Sequence, residues 1–244
     1  MQVDYIFGRN PVLEAIKNGR EIDKIMIKKG AVEGSVNAII KKAREQGITV
    51  VEADRQKLDQ LCGGQNHQGV LAFVAMHEYS SVSDILKSAR QRGREPFVII
   101  CDKITDPHNL GSILRTANCA GADGVIIPKR DSAGLNSVVA KTSAGAIEYT
   151  PVARVTNIAR TVEELKKEGL WIFAADMDGE EMTKTNLKGA VGLVIGSEGE
   201  GISRLVGEKC DFKVKIPMLG EISSLNASVA AGILMYEVVR QRNS

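Results

Sequence analysis

Three stretches of the 244-residue chain combine glycine, serine and side chains able to do chemistry: DKITDPHNLGSILRTANCAGA at 102–122, GLVIGSEGEGIS at 192–203 and IPMLGEISSLNAS at 216–228. In the first, Arg115 offers a planar fork of donors that can grip a phosphate bidentately. Asn109 there is of a type that caps helices. In the second, Glu198 sits among Gly196, Gly199 and Gly201. A carboxylate would repel a phosphate, but it can hold a hydroxyl or a cationic ligand. The spacing G-x-x-G-x-G reverses the order of a dinucleotide fingerprint and lacks the Lys-Ser/Thr ending of a P-loop, so neither nucleotide motif is present. In the third, Ser223, Ser224 and Asn226 are N-cap types poised to open a helix beside a tight pocket.

These loops need a frame. Each follows a short apolar run that reads as a strand, at 97–101, 191–195 and 212–216, with further strands expected at 124–127, 148–152 and 170–174. Helices alternate with them at about 109–120, 136–143, 158–168 and 202–206. Strand, loop and helix in repetition imply a parallel sheet covered on both faces. Ligands of such sheets bind at the carboxyl ends of the strands, where all three loops fall. Along the first helix Leu110, Ile113, Leu114 and Ala117 form the core face and place Arg115 on the other side. In the last helix Ala227, Ala230, Ala231, Leu234 and Val238 share one face at the 3.6-residue period. That face starts with small side chains, which let a ligand or another backbone come close.

Residues 1–75 read as a separate α/β unit, with helices at 10–17, 35–46 and 55–61 and strands at 22–28, 48–51 and 70–74. Its loop residues Arg9, Asn10, His67 and Gln68 are the candidates for touching RNA. Residues 76–95 read as linker and connecting helix, and 96–244 as the domain that carries the three loops.

Composition narrows the chemistry. Charge is near balance, 32 Lys+Arg against 30 Asp+Glu, so a nucleic-acid site must be a local patch. Four dispersed cysteines, with no CxxC, and three histidines argue against a zinc or His-rich metal centre, and the cysteines fit reduced thiols in a cytoplasmic protein. No apolar run suits a signal peptide or a membrane span.

The ordered segments N-x-G-x-x-x-R (109–115), V-I-G-S-E-G-x-G (194–201) and I-P-M-x-G-x-x-S-S-L-N-A-S-V-A (216–230) resemble the three motifs of the SpoU/TrmH family, S-adenosylmethionine-dependent RNA ribose 2′-O-methyltransferases of the SPOUT superfamily. YIFGRNPVLEAI and NHQGV at the start resemble the ribosomal-protein-like RNA-binding domain of members that methylate a guanosine of 23S ribosomal RNA. The resemblance implies a trefoil-knotted C-terminal domain, a homodimer, and S-adenosylmethionine as methyl donor. It assigns Gly196, Ser197, Ile216, Met218, Gly220 and Leu225 to the donor, and Asn109, Arg115, Glu198, Ser224 and Asn226 to the reacting ribose. The family proposal makes Arg115 the base. A guanidinium is effectively never deprotonated, so holding the phosphate and stabilising the developing alkoxide is the better role for Arg115. Phosphate or water then takes the proton, with His108 as an alternative base. Two rival functions are carried alongside: a transfer-RNA ribose methyltransferase, and a non-catalytic RNA-binding assembly factor that would give no heat with the donor.

Overall fold

The computed structural model describes residues 5–31, 34–75 and 77–244, and the chain divides into two compact units. The first runs to Glu78 and takes in the short segment 134–137; the second holds the remainder.

In the first unit β1 (Tyr5–Phe7), α1 (Arg9–Lys17), β2 (Ile22–Lys28), α2 (Gly34–Glu45), β3 (Thr49–Ala53), α3 (Arg55–Leu61) and β4 (Val70–Val74) build a four-stranded sheet of order β1-β4-β2-β3. Only β2 and β3 run parallel. The alternation of β2 sends Ile25 and Ile27 to a core under α1 and α2, with Val12, Ile16, Val36 and Ile39, while Met26 joins Leu58 of α3 on the opposite face. β1 has no counterpart in the sequence expectations. At three residues it is too short to show a period.

The second unit contains α4 (Val82–Gln91), β5 (Phe97–Cys101), α5 (Pro107–Cys119), β6 (Gly124–Pro128), α6 (Ser137–Thr142), β7 (Val152–Val155), α7 (Ile158–Lys167), β8 (Trp171–Glu181), β9 (Val191–Ile195), α8 (Arg204–Lys209), β10 (Phe212–Lys215) and α9 (Ala227–Arg242). Its six strands are all parallel, in the order β10-β8-β9-β5-β6-β7. β5 and β9, the two central strands that feed the first two loops, are buried at every position. On one face Ile85 and Leu86 of α4 pack with Val98, Ile100, Val162, Leu165, Ile172 and Val194. α4 is therefore part of this core, where the sequence set 76–95 aside as linker and connecting helix. α5 packs against α9. No helix among the described residues is long and apolar enough to cross a membrane.

Four local expectations shift. The strand expected at 148–152 is a 3-10 turn at Ala146–Glu148, opened by Gly145 in the left-handed region (φ 87), and the strand starts only after Pro151. The helix expected from 109 starts at Pro107, because Asp106 caps it through a bond from His108 N and proline suits the first turn. The strand expected at 170–174 continues to Glu181. The helix expected at 202–206 begins at Arg204.

Candidate active site

β9 ends in a tight hairpin. Ser197 N donates to Gly201 O at 3.1 Å and Gly201 N to Ser197 O at 3.0 Å, leaving Glu198, Gly199 and Glu200 at the tip. Two of the three glycines are sterically required. A Cβ on Gly196 would stand 2.2 Å from the carbonyl carbon of Gly201, and Gly201 has φ 67.

The hairpin turns Glu198 toward two amides. Asn109 Nδ2 donates to Glu198 Oε1 at 2.8 Å, Asn226 Nδ2 donates to the same oxygen at 2.5 Å, and Asn226 Nδ2 also lies 2.9 Å from Asn109 Oδ1. Asn226 is the N-cap of α9, and its Oδ1 accepts from Ser228 N, Ser228 Oγ and Val229 N. The cap therefore fixes which end of the amide faces Glu198. Asn109 joins the cluster because Asp106 has taken over the capping of α5. Gly111 of the same motif lets α5 approach α6: a Cβ there would lie 1.8 Å from Thr142 Oγ1.

Beside this cluster lies a cavity of about 300 Å³. Of the residues expected at the donor, Gly196, Ser197, Ile216, Met218 and Leu225 line it, as do Glu198 and Ser224; Gly220 does not. Its far wall was not expected. Between Lys213↔Ala174 and Val214↔Glu180 the β8–β10 register breaks, so the residues between Ala174 and Glu180 leave the ladder, and Ala175, Asp176 and Met177 face the cavity. The excursion closes at Gly179, where a Cβ would lie 2.5 Å from the Lys213 carbonyl carbon. The run Asp176-Met177-Asp178-Gly179 is a turn signal that could have exposed this break. Burial alone would raise the Asp176 carboxyl, but the hydrogen bond from Lys213 (2.7 Å), that from Asp178 N and the Lys213 charge hold it below the usual range. Three carboxylates, Glu198, Glu200 and Asp176, line it together with Lys215; Asp176 is paired with Lys213 and Glu200 with Lys103, so Glu198 is the one whose partners are neutral amides.

Arg115 stands apart. Six residues after Asn109 is about 240° around an α-helix, and Arg115 is exposed, its side chain making no hydrogen bond or ion pair among the described residues. Within one chain the fold thus joins Asn109, Glu198 and Asn226, sets the exposed Ser224 at the cavity, and directs Arg115 elsewhere. His108 is exposed at the start of α5, its backbone N donating to Asp106.

The first unit has its own pocket, about 670 Å³, lined by Arg9, Lys28, Arg55, Gln65, Asn66 and Gln68 among others. Gln68, at φ 51, accepts from Arg9 N through Oε1 and from Arg9 Nε through its carbonyl. His67, expected to touch RNA, also lines this pocket, although it is only 6% exposed. Its Nε2 lies 2.9 Å from Asp59 and its Nδ1 accepts from Gly69 N, so it braces the loop that presents Gln68. Asn10 is exposed but does not line the pocket.

Comparison with known proteins agrees with this layout. The model of the SpoU rRNA Methylase family matches residues 96–236, and that of RNA 2′-O ribose methyltransferase substrate binding matches residues 5–80. YacO of Bacillus subtilis, assigned to the TrmH family of tRNA/rRNA methyltransferases, is 51% identical across 99% of this chain and 97% of its own. Among solved structures, the SpoU methyltransferase AviRb from Streptomyces viridochromogenes is 25% identical with TM-score 0.62, covering 98% of this chain and 89% of that one. An AdoMet-bound rRNA methyltransferase from Sinorhizobium meliloti, 24% identical over 97% of this chain and 86% of that one, shares the fold at TM-score 0.61.

Proposed function

Since this chain belongs to the SpoU rRNA methylase family, we propose that it moves the methyl group of S-adenosylmethionine to the 2′-oxygen of a guanosine ribose in 23S ribosomal RNA. The observation that carries this reading is the Asn109–Glu198–Asn226 cluster standing beside a cavity closed by the Gly196 hairpin. The Glu198 carboxylate, held by neutral amides, suits a cationic sulfonium better than a phosphate. The hairpin and the loop before α9 leave backbone groups and Ile216, Met218 and Leu225 for the adenosine.

The bound donor supplies an electrophilic methyl group. The chain's own task is positioning: most of the rate comes from holding the ribose oxygen about 3 Å from that carbon, in line with sulfur. Glu198 and Asn226, fixed by the α9 cap, orient the ribose, and Ser224 faces the same space. The O–CH₃ bond forms as the C–S bond breaks, and the hydroxyl proton leaves to the RNA phosphate or to water. Arg115 holds that phosphate and stabilises the alkoxide.

Since Arg115 points away from its own cluster, it serves the site of a second copy, and the protein works as a homodimer. Supporting this, Val229 and Tyr236 on α9 are 48% and 51% exposed, and Leu219 and Ile222 in the preceding loop 99% and 74%. Apolar side chains exposed along one helix and the loop before it suit a partner surface. On the same reading the loops of the second unit are threaded into a trefoil knot, the first unit docks the ribosomal RNA through Arg9 and Gln68, with Asn10 at the rim, and the protein acts in the cytoplasm.

The test is to map 2′-O-methyl groups in RNA from a strain lacking the protein. Loss of one mark from 23S ribosomal RNA is the expected result. A mark lost from a transfer RNA instead replaces the substrate, and a protein giving no heat with S-adenosylmethionine in calorimetry overturns the enzyme reading.

A further inference from the structure

We propose that Asp102 is a positioning residue for methyl transfer, holding both ends of the Gly196 hairpin in the form that takes the donor; this rests on the donor site proposed above. Asp102 follows the last residue of β5 and is 5% exposed. Its backbone N donates to Ile195 O at 2.8 Å, which extends the β5–β9 ladder to the point where the hairpin leaves the sheet. Its Oδ2 accepts from Ser203 N at 2.7 Å and from Ser203 Oγ at 2.6 Å, where the hairpin rejoins the fold. The loop of residues 195–203 is thus closed upon one residue, its backbone at one end and its carboxylate at the other. Ser203, although it stands at the N-cap of α8, makes no side-chain cap bond. The neighbouring Lys103, at φ 59, reaches the hairpin tip and pairs with Glu200 Oε2 at 2.8 Å.

The chemistry of this clasp differs from that of the reacting cluster. Asp102 touches neither the cavity nor Glu198; it acts through the hairpin, whose Gly196 already packs against Gly201 and Ile202 without room for a methyl group. Two charge-assisted bonds to one buried oxygen are strong and directional. Without them the hairpin samples forms that do not fit the donor, and the apparent affinity falls by the fraction of molecules left competent.

Calorimetric titration of the full chain with S-adenosylmethionine, paired with urea unfolding, tests this. Asp102→Ala is expected to raise the donor Kd about tenfold while RNA affinity stays within about threefold. Asp102→Asn keeps an acceptor oxygen in place and should restore most of the affinity. A folded Asp102→Ala variant with wild-type donor affinity overturns the inference. If that variant does not fold, Ser203→Ala decides: it removes one of the two bonds, and a Kd unchanged from wild type overturns the inference equally. Absence of heat from the wild-type protein is a separate result, which sinks the donor site itself and this inference with it.

Discussion

Asn109 Nδ2 and Glu198 Oε1 lie 2.8 Å apart although 89 residues of chain separate them. Asn226 reaches the same oxygen from the start of α9. One carboxylate oxygen therefore organises two amides from two other loops; its loss leaves Asn109 Nδ2 without its acceptor and Asn226 Nδ2 with Asn109 Oδ1 alone. Glu198→Ala should lower turnover about 100-fold through misplacement of the ribose. Glu198→Gln retains an acceptor oxygen and should cost about tenfold, or roughly 1.4 kcal/mol of barrier. Methyl incorporation from labelled donor at saturation measures both, and wild-type rates for the alanine variant would remove Glu198 from the site.

Arg115 separates binding from chemistry. Because it does not line the cavity of its own chain, Arg115→Ala should abolish transfer while calorimetry shows donor affinity unchanged. Lysine lacks the planar fork, so Arg115→Lys should not restore the rate. For His108→Ala activity should stay within about tenfold; a deeper loss would make the histidine the base. Mixing Arg115→Ala with Glu198→Ala protein tests the shared site: a mixed dimer retains one intact site, so partial recovery of activity is expected.

How much of this could be read from residue order differs from element to element. The apolar runs at 97–101 and 191–195 became fully buried strands with the same bounds, since a continuous apolar run between turn signals has few other fates. The face of α5 was equally legible, with Arg115 opposite Leu110, Ile113 and Leu114. Asn109 was legible as a polar residue at a helix start but not in its task, because Asp106 and Asn109 are both capping types and only the fold shows which one caps. The excursion of β8 escaped because its partner is a strand more than thirty residues later, and register breaks are pair properties. His67, which lines the first unit's pocket, is also buried against Asp59 and Gly69, a tertiary fact that its loop composition hides.

The glycines of the hairpin make a sharper contrast. Gly196→Ala places a methyl group 2.2 Å from the Gly201 carbonyl carbon and 2.3 Å from Ile202 N, both backbone atoms. Relief requires the hairpin to move, at a cost of about 1–3 kcal/mol by analogy with overpacked cores. Donor binding should then fall beyond calorimetric detection. At Gly199 an added Cβ would meet nothing within 4 Å, and the residue does not sit at positive φ. Gly199→Ala should leave donor affinity and urea midpoint near wild type. If both variants bind alike, the hairpin is not the donor's wall.

Asp176 and Lys213 set a pH signature on the cavity's outer wall. The Asp176 carboxyl is held below its ordinary 3.8: burial pushes it up, and the Lys213 and Asp178 contacts outweigh this. A depressed folded value means that the pair's contribution is present above the unfolded value of 3.8 and is lost as pH falls through the lower folded one. Lys213 mirrors it: the hydrogen bond and charge of Asp176 raise its value above 10.5, so its contribution holds below 10.5 and is lost as pH climbs through the folded value. Asp176→Asn removes both arms. Urea midpoints of wild type and variant at about pH 3, 7 and 11 should therefore differ most at the middle value and converge toward both extremes. A gap that stays constant across all three would show that the variant loses packing and not the ion pair.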